Sequence, residues 1–247
     1  MKQTIFLAGA CGAIGRRLVP LLLEAGHHVV GTTRSPERAA ALQASGAEAV
    51  LLDIFDEAAV CKAVDAARPN VILHQLTDLS GPLTPTMLEA ALARNARIRK
   101  LGTAHLVQAA LAAGCPRIIA QSIAWAYAPG PMPFRETDPL EQEASGQRAI
   151  TLGGILTLEK LVQHTPGLTG CVLRYGRLYG PGTGAEKAAM SPLHVDAAAS
   201  AALLAVEQQA TGVFNIAEDD GSLDCSRATN TLGWSAQWRQ ETSGVAG

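Results

Sequence analysis

The sequence predicts an α/β protein built on a doubly wound parallel sheet, and three observations predict it. Apolar runs of β type alternate with helical stretches along most of the chain. The first run, Thr4–Ala8, leads through a glycine turn directly into the helical spacing of residues 16–24. The 247 residues, 48% hydrophobic and 17% charged, are enough to bury one sizeable core.

The glycine turn comprises Gly9, Gly12 and Gly15, with Ala13 and Ile14 between them. Glycine is required where backbone turns sharply and where a pyrophosphate approaches main-chain amides. The helix that follows points its unpaired N–H groups and positive dipole end at such a phosphate. Three glycines alone are a weak signal, but the strand–turn–helix context is the required one.

After a stop at Gly26, residues 27–33 read as the second strand, which ends at Arg34 and Ser35. In a dinucleotide-binding unit this position faces the adenosine ribose. A carboxylate there selects NAD, whereas an arginine accommodates the 2′-phosphate of NADP. No carboxylate precedes Glu37, so NADP(H) is expected over NAD(H). A short helix follows over 36–46, then a third strand over 48–54 and a helix capped by Asp56. Residues 70–77 read as the fourth strand. Ligands of such sheets lie outside the carboxyl ends of the strands, which places Asp53, Gln75, Leu76 and Thr77 along the groove.

Pro82 to Pro85 break the chain before a long helix expected over 86–113, whose cations Arg97, Arg99 and Lys100 read as a solvated face. A fifth strand runs to Ile123, and the proline-rich residues 128–139 read as a substrate loop over the site. A helix over 150–164 and a sixth strand over 171–175 complete the pattern. Net charge is −2 with no basic stripe, so neither nucleic acid nor an anionic membrane surface is an expected partner. No apolar run of about 18 residues spans a bilayer and no signal peptide is visible. The five cysteines are widely spaced, which argues against a metal site or disulfides and for the cytoplasm.

Taken together, the glycine turn, Asp53-Ile54, Gly102-Thr103, residues 174–182 (RYGRLYGPG), residues 194–198 (HVDAA), Val213–Ala217 and Leu232-Gly233-Trp234 resemble the extended short-chain dehydrogenase/reductases, the NAD(P)-dependent epimerase/dehydratase family. The resemblance implies a Rossmann core over residues 1–180 and a small C-terminal substrate region over 181–247, whose late strand returns to the core. It also implies adenine contacts from Asp53 and Ile54, and a homodimer through the fourth and fifth helices, the fifth weakened by Gly153-Gly154. Its catalytic set is a hydroxyl residue, a tyrosine acting as general acid/base and a lysine that lowers the tyrosine pKa.

Here the sequence departs from the family. With Glu159 aligned to the glutamate that follows the lysine, Thr151 stands at the tyrosine and Ile155 at the lysine; with Lys160 taken as the lysine, Leu156 stands at the tyrosine, and neither register provides a phenol. The groups left to act are Ser122, Tyr127 and Tyr175, the two tyrosines being either general acids or packed core rings. Trp125 forms an apolar wall suited to a ring-shaped substrate, and Arg177 suits a carboxylate or phosphate. The expected function is an NADP-dependent oxidoreductase or epimerase-like enzyme acting on a small carbonyl or hydroxyl compound. The rival readings are a catalytically silent NADP(H)-binding sensor and a non-redox isomerase or lyase on the same fold.

Overall fold

The computed structural model describes residues 1–78 and 85–240. The alternation expected of the first half is present as β1 (Thr4–Ala8), α1 (Ala13–Glu24), β2 (His28–Thr33), α2 (Pro36–Ala44), β3 (Glu48–Leu51), α3 (Glu57–Ala67) and β4 (Val71–His74). It continues with α4 (Pro85–Arg97), α5 (Thr103–Ala113), β5 (Arg117–Ile123), α6 (Gly146–His164), β6 (Thr169–Tyr175), β7 (Arg177–Tyr179), β8 (Pro192–His194), α7 (Val195–Glu207), β9 (Gly212–Ile216) and α8 (Ser226–Leu232). Seven strands form one sheet in the order β3-β2-β1-β4-β5-β6-β9, every neighbour parallel. The central strands β1 and β4 are mostly apolar because helices cover both faces, so Phe6, Leu7, Ile72 and Leu73 are all fully buried.

Local chemistry sets the helix starts. Asp56 caps α3 by accepting the Ala59 N–H at 3.0 Å, and Ser35 caps α2 through the Arg38 N–H at 3.2 Å. The long helix expected over 86–113 is instead two helices joined by a wider π turn over Ile98–Gly102. No glycine or proline between 86 and 101 announces that turn. The expected break beginning at Pro82 falls on 79–84, outside the described residues.

The C-terminal third contributes more to the core than the one returning strand. α7 packs along α1 and is buried on nearly every side, and Arg17 of α1 pairs with Asp196 of α7 at 3.1 Å. Trp234, 2% exposed, donates its indole N–H to the Ala197 carbonyl at 2.8 Å. Residues 128–139, expected over the site, turn the other way. Phe134 stacks on Tyr127 and exchanges main-chain bonds with Ser222 and Asp224. The glycine pair does not interrupt α6, where Gly154 lies against Ala96 of α4.

Candidate active site

The strand order turns between β1 and β4, and a groove of about 550 Å³ opens there at the carboxyl ends of the strands. Gly9 (φ +98°) takes a conformation that side chains resist, and a Cβ there would sit 2.8 Å from the Gln75 carbonyl carbon. A Cβ on Gly15 would overlap the Gly9 carbonyl oxygen, so this glycine lies behind the turn and lets α1 start against it. Gly12, Ala13 and Ile14 line the groove, and the start of α1 has neither a side-chain cap nor an acidic residue in its first turn. Those open amides suit an anion.

Along the same wall stand Arg34, Ser35, Ile54, Gln75, Leu76 and Thr77, together with Arg38. The Arg34 guanidinium lies 3.9 Å from Asp78 and remains 68% exposed. Leu52, Ile54 and Phe55 make an apolar end, with Arg97 stacked on the Phe55 ring at 4.1 Å. The Gln75 amide is buried beside the Tyr175 hydroxyl. Between Leu52 and Ile54, the exposed Asp53 accepts the Phe55 N–H at 3.0 Å and so shapes the turn after β3.

At the other end the expected hydroxyl groups are present but engaged. Ser122 lines the groove, fully buried, and donates to Glu159 at 2.6 Å. Glu159 also holds Arg174 at 2.7 Å, an ion pair buried on both sides. Arg174 donates to the Tyr127 hydroxyl at 2.9 Å, and that hydroxyl donates to Asn215 at 2.5 Å. Tyr127 is therefore one member of a buried chain that ties β5, α6, β6 and β9 together, and it does not line the groove. This corrects its placement on the rim: stacking on Phe134 turns the ring away. Tyr175 borders the groove but donates its hydroxyl to the Ala198 carbonyl at 3.1 Å, and burial holds its phenol well above the ordinary tyrosine range.

Trp125 separates the groove from a side chamber of about 300 Å³ between α4 and α6. Arg177 borders this chamber rather than the main groove, its guanidinium 4.7 Å above the Trp125 ring. Thr151 lines the chamber, and Ile155 is buried beneath it. Two residues that sequence reasoning passed over also face this space. Asn95 is 1% exposed, and Arg99, expected on a solvated face, is 4% exposed and reaches both cavities. Charge spacing alone gave no way to distinguish Arg99 from its exposed neighbours Arg97 and Lys100.

Behind Arg99 lies His74, 1% exposed. Its Nδ1 accepts the Leu76 N–H at 3.4 Å, which leaves Nε2 to donate to Thr103 at 3.1 Å. Burial, then the Arg99 charge, push its pKa from 6.5 down to about 4. Below pH 6.5 the unfolded chain binds a proton that the folded one refuses, so stability is present above that pH and is lost as pH falls towards 4. Denaturant melts at pH 7 and pH 5 should show this loss, and His74→Gln should reduce it; an unchanged loss in the variant would refute the assignment.

The profile of the NAD dependent epimerase/dehydratase family matches residues 5–192, and this chain belongs to that family. It is 42% identical over 238 residues to a 3-diazoavenalumate denitrifying reductase of a Streptomyces species, covering 87% of this chain and 76% of the relative. Among solved structures, it is similar to a UDP-glucose 4-epimerase of Thermotoga maritima bound to UDP-glucose, with a TM-score of 0.74, 20% identity, and 95% and 94% of the two chains covered. It is also similar to the Bordetella bronchiseptica enzyme WbmG in complex with NAD, with a TM-score of 0.73, 18% identity, and 97% and 91% covered. The fold is the Rossmann type of the extended short-chain dehydrogenases, and the family depends on a nicotinamide dinucleotide. Among the described residues, no helix is long and apolar enough to cross a membrane, no group of three His, Cys, Asp or Glu could hold a metal ion, and all five cysteines are free.

Proposed function

We propose that this protein is an NADPH-dependent reductase whose acceptor requires no proton from a tyrosine, a diazo compound being what the name of its Streptomyces relative gives. One observation carries the proposal: the tyrosine on the groove wall has its hydroxyl turned into the core, where it bonds the Ala198 carbonyl. Neither register of α6 against the family places a phenol at its tyrosine, which falls on Thr151 or Leu156, and Ser122 is bonded to Glu159. The reduction of a carbonyl needs a proton at oxygen as well as a hydride at carbon. Bound NADPH would supply hydride, and hydride that displaces nitrogen from an arenediazonium gives the arene and N₂ with no proton to deliver.

The chain's own part is binding and orientation. The open start of α1 would hold the pyrophosphate, and Leu52, Ile54 and Phe55 would enclose the adenine. Arg34 and Arg38 would meet the ribose phosphate of NADPH, and Trp125 would offer a flat face to a substrate ring. The dinucleotide preference is tested by fluorescence titration with NADPH and NADH. NADPH should bind about 10–100-fold more tightly, and Arg34→Ala should erase most of that margin. Equal affinities would overturn the preference. Purified protein should then consume NADPH and release N₂ with an arenediazonium, above the enzyme-free rate, and leave simple ketones untouched. Tight binding without turnover would favour a silent dinucleotide sensor, and product formed without nicotinamide a non-redox isomerase or lyase.

A further inference from the structure

We infer that the side chamber is an anion-recognition subsite built on Arg99, which takes the carboxylate of a planar, conjugated substrate. This rests on the reading of the groove as a reductase site and names the substrate class that the site selects. The Arg99 guanidinium is 4% exposed and makes no hydrogen bond or ion pair with any described residue. Arg34 and Arg94 pair with Asp78, Arg148 with Glu141 and Arg174 with Glu159, and the cavity-lining Arg16, Arg38 and Arg177, which have no acidic partner, are exposed to solvent, whereas Arg99 is buried. Burial lowers the Arg99 pKa to about 10, so the group remains charged at neutral pH. A buried cation without a counter-ion is costly, and structures keep one where a ligand completes the pair.

A second buried group points the same way. The Oδ1 of Asn95 accepts the Asp78 N–H, but its Nδ2 is buried with no partner. Asn95 and Arg99 border the same chamber of about 300 Å³, which no acidic side chain lines among the described residues. An unpaired amide donor beside a guanidinium fork matches a two-oxygen acceptor. Trp125 and Ile123 border both cavities, so an aromatic or conjugated body can lie across the tryptophan with its carboxylate in the chamber and its reacting carbon in the groove. Arg177, stacked on the outer part of that wall, adds positive potential at the mouth.

The test is binding rather than turnover, so a failed reductase reading and a failed carboxylate subsite give different results. Intact protein saturated with NADP⁺ is titrated calorimetrically with cinnamate, neutral cinnamamide and phenyl phosphate. Cinnamate should bind at least about tenfold more tightly than the amide, and Arg99→Met should weaken it roughly 10–100-fold. Affinity for NADP⁺ and thermal stability should hold in that variant, because it removes an uncompensated buried charge. Arg99→Lys should recover part of the loss. Equal binding of acid and amide, or an Arg99→Met variant that binds cinnamate normally, would overturn the inference. A loss of NADP⁺ affinity in that variant would assign the guanidinium to the dinucleotide, and preferential binding of phenyl phosphate would replace carboxylate with phosphate. Cinnamate binding without NADPH turnover would leave the subsite standing while the reductase reading fell.

Discussion

Replacing Glu159 by alanine is expected to destabilise the protein by about 3–5 kcal/mol, the usual cost of stripping one partner from a buried ion pair. Glu159 is 7% exposed and Arg174 5%, and the carboxylate takes two guanidinium bonds, at 2.7 and 3.0 Å, as well as the Ser122 hydroxyl at 2.6 Å. Its loss strands a cation under the sheet and an unpaired hydroxyl on the groove wall. For a chain of this size the melting temperature should fall by roughly 10 °C. The paired change Glu159→Leu with Arg174→Met removes both charges and should recover much of the loss, because apolar replacements of buried pairs are often neutral. Thermal melts of the single and double variants decide the matter. A single variant within 1 °C of the parent would show that stripping the carboxylate from this pair costs nothing.

Gly15→Ala should have the largest effect on the cofactor. The added methyl overlaps the Gly9 carbonyl oxygen and would come within 2.6 Å of the Ala10 carbonyl carbon. Both neighbours are backbone, so no flexible side chain can give way, and either α1 or the turn must shift. The expected cost is about 1–3 kcal/mol of stability. Displacing the amides at the start of α1 should also weaken NADPH by about 100-fold, through lost charge-assisted hydrogen bonds. Circular dichroism melts and NADPH fluorescence titration separate the two effects. Native affinity in a folded variant would show that the turn does not hold the phosphate.

Much of this architecture can be read in the residues. Strand–turn–helix at Gly9–Gly15, the capping Asp56 and the apolar runs of β1, β4, β5 and β6 each combine local propensity with a pattern that the fold repeats. The return of α7 to the core is harder to see. Its sequence, VDAAASAALLAVE, is small and apolar all round, so it carries no amphipathic stripe to mark the face it buries against α1. The hydroxyl groups were legible as residues but not as roles. Whether Ser122 and Tyr127 meet a substrate or an internal partner depends on Glu159, Arg174 and Asn215, which lie 37, 47 and 88 positions from them. Arg99 was illegible for a related reason: a cation inside a helix is ordinarily solvated, and only the tertiary packing buries this one.

The π turn between α4 and α5 has a consequence for how the chamber is shaped. Such a turn holds one residue more than the α-helical path it replaces, and one residue is worth about 100° of rotation about the helix axis. The face that α4 presents is thereby uncoupled from the face that α5 packs on α3. On one side of the turn Asn95 and Leu92 line the chamber, and on the other Leu106 and Ala110 lie in the core. The α4 wall of the chamber and the core face of α5 thus lie on either side of one π turn within one continuous helical rod.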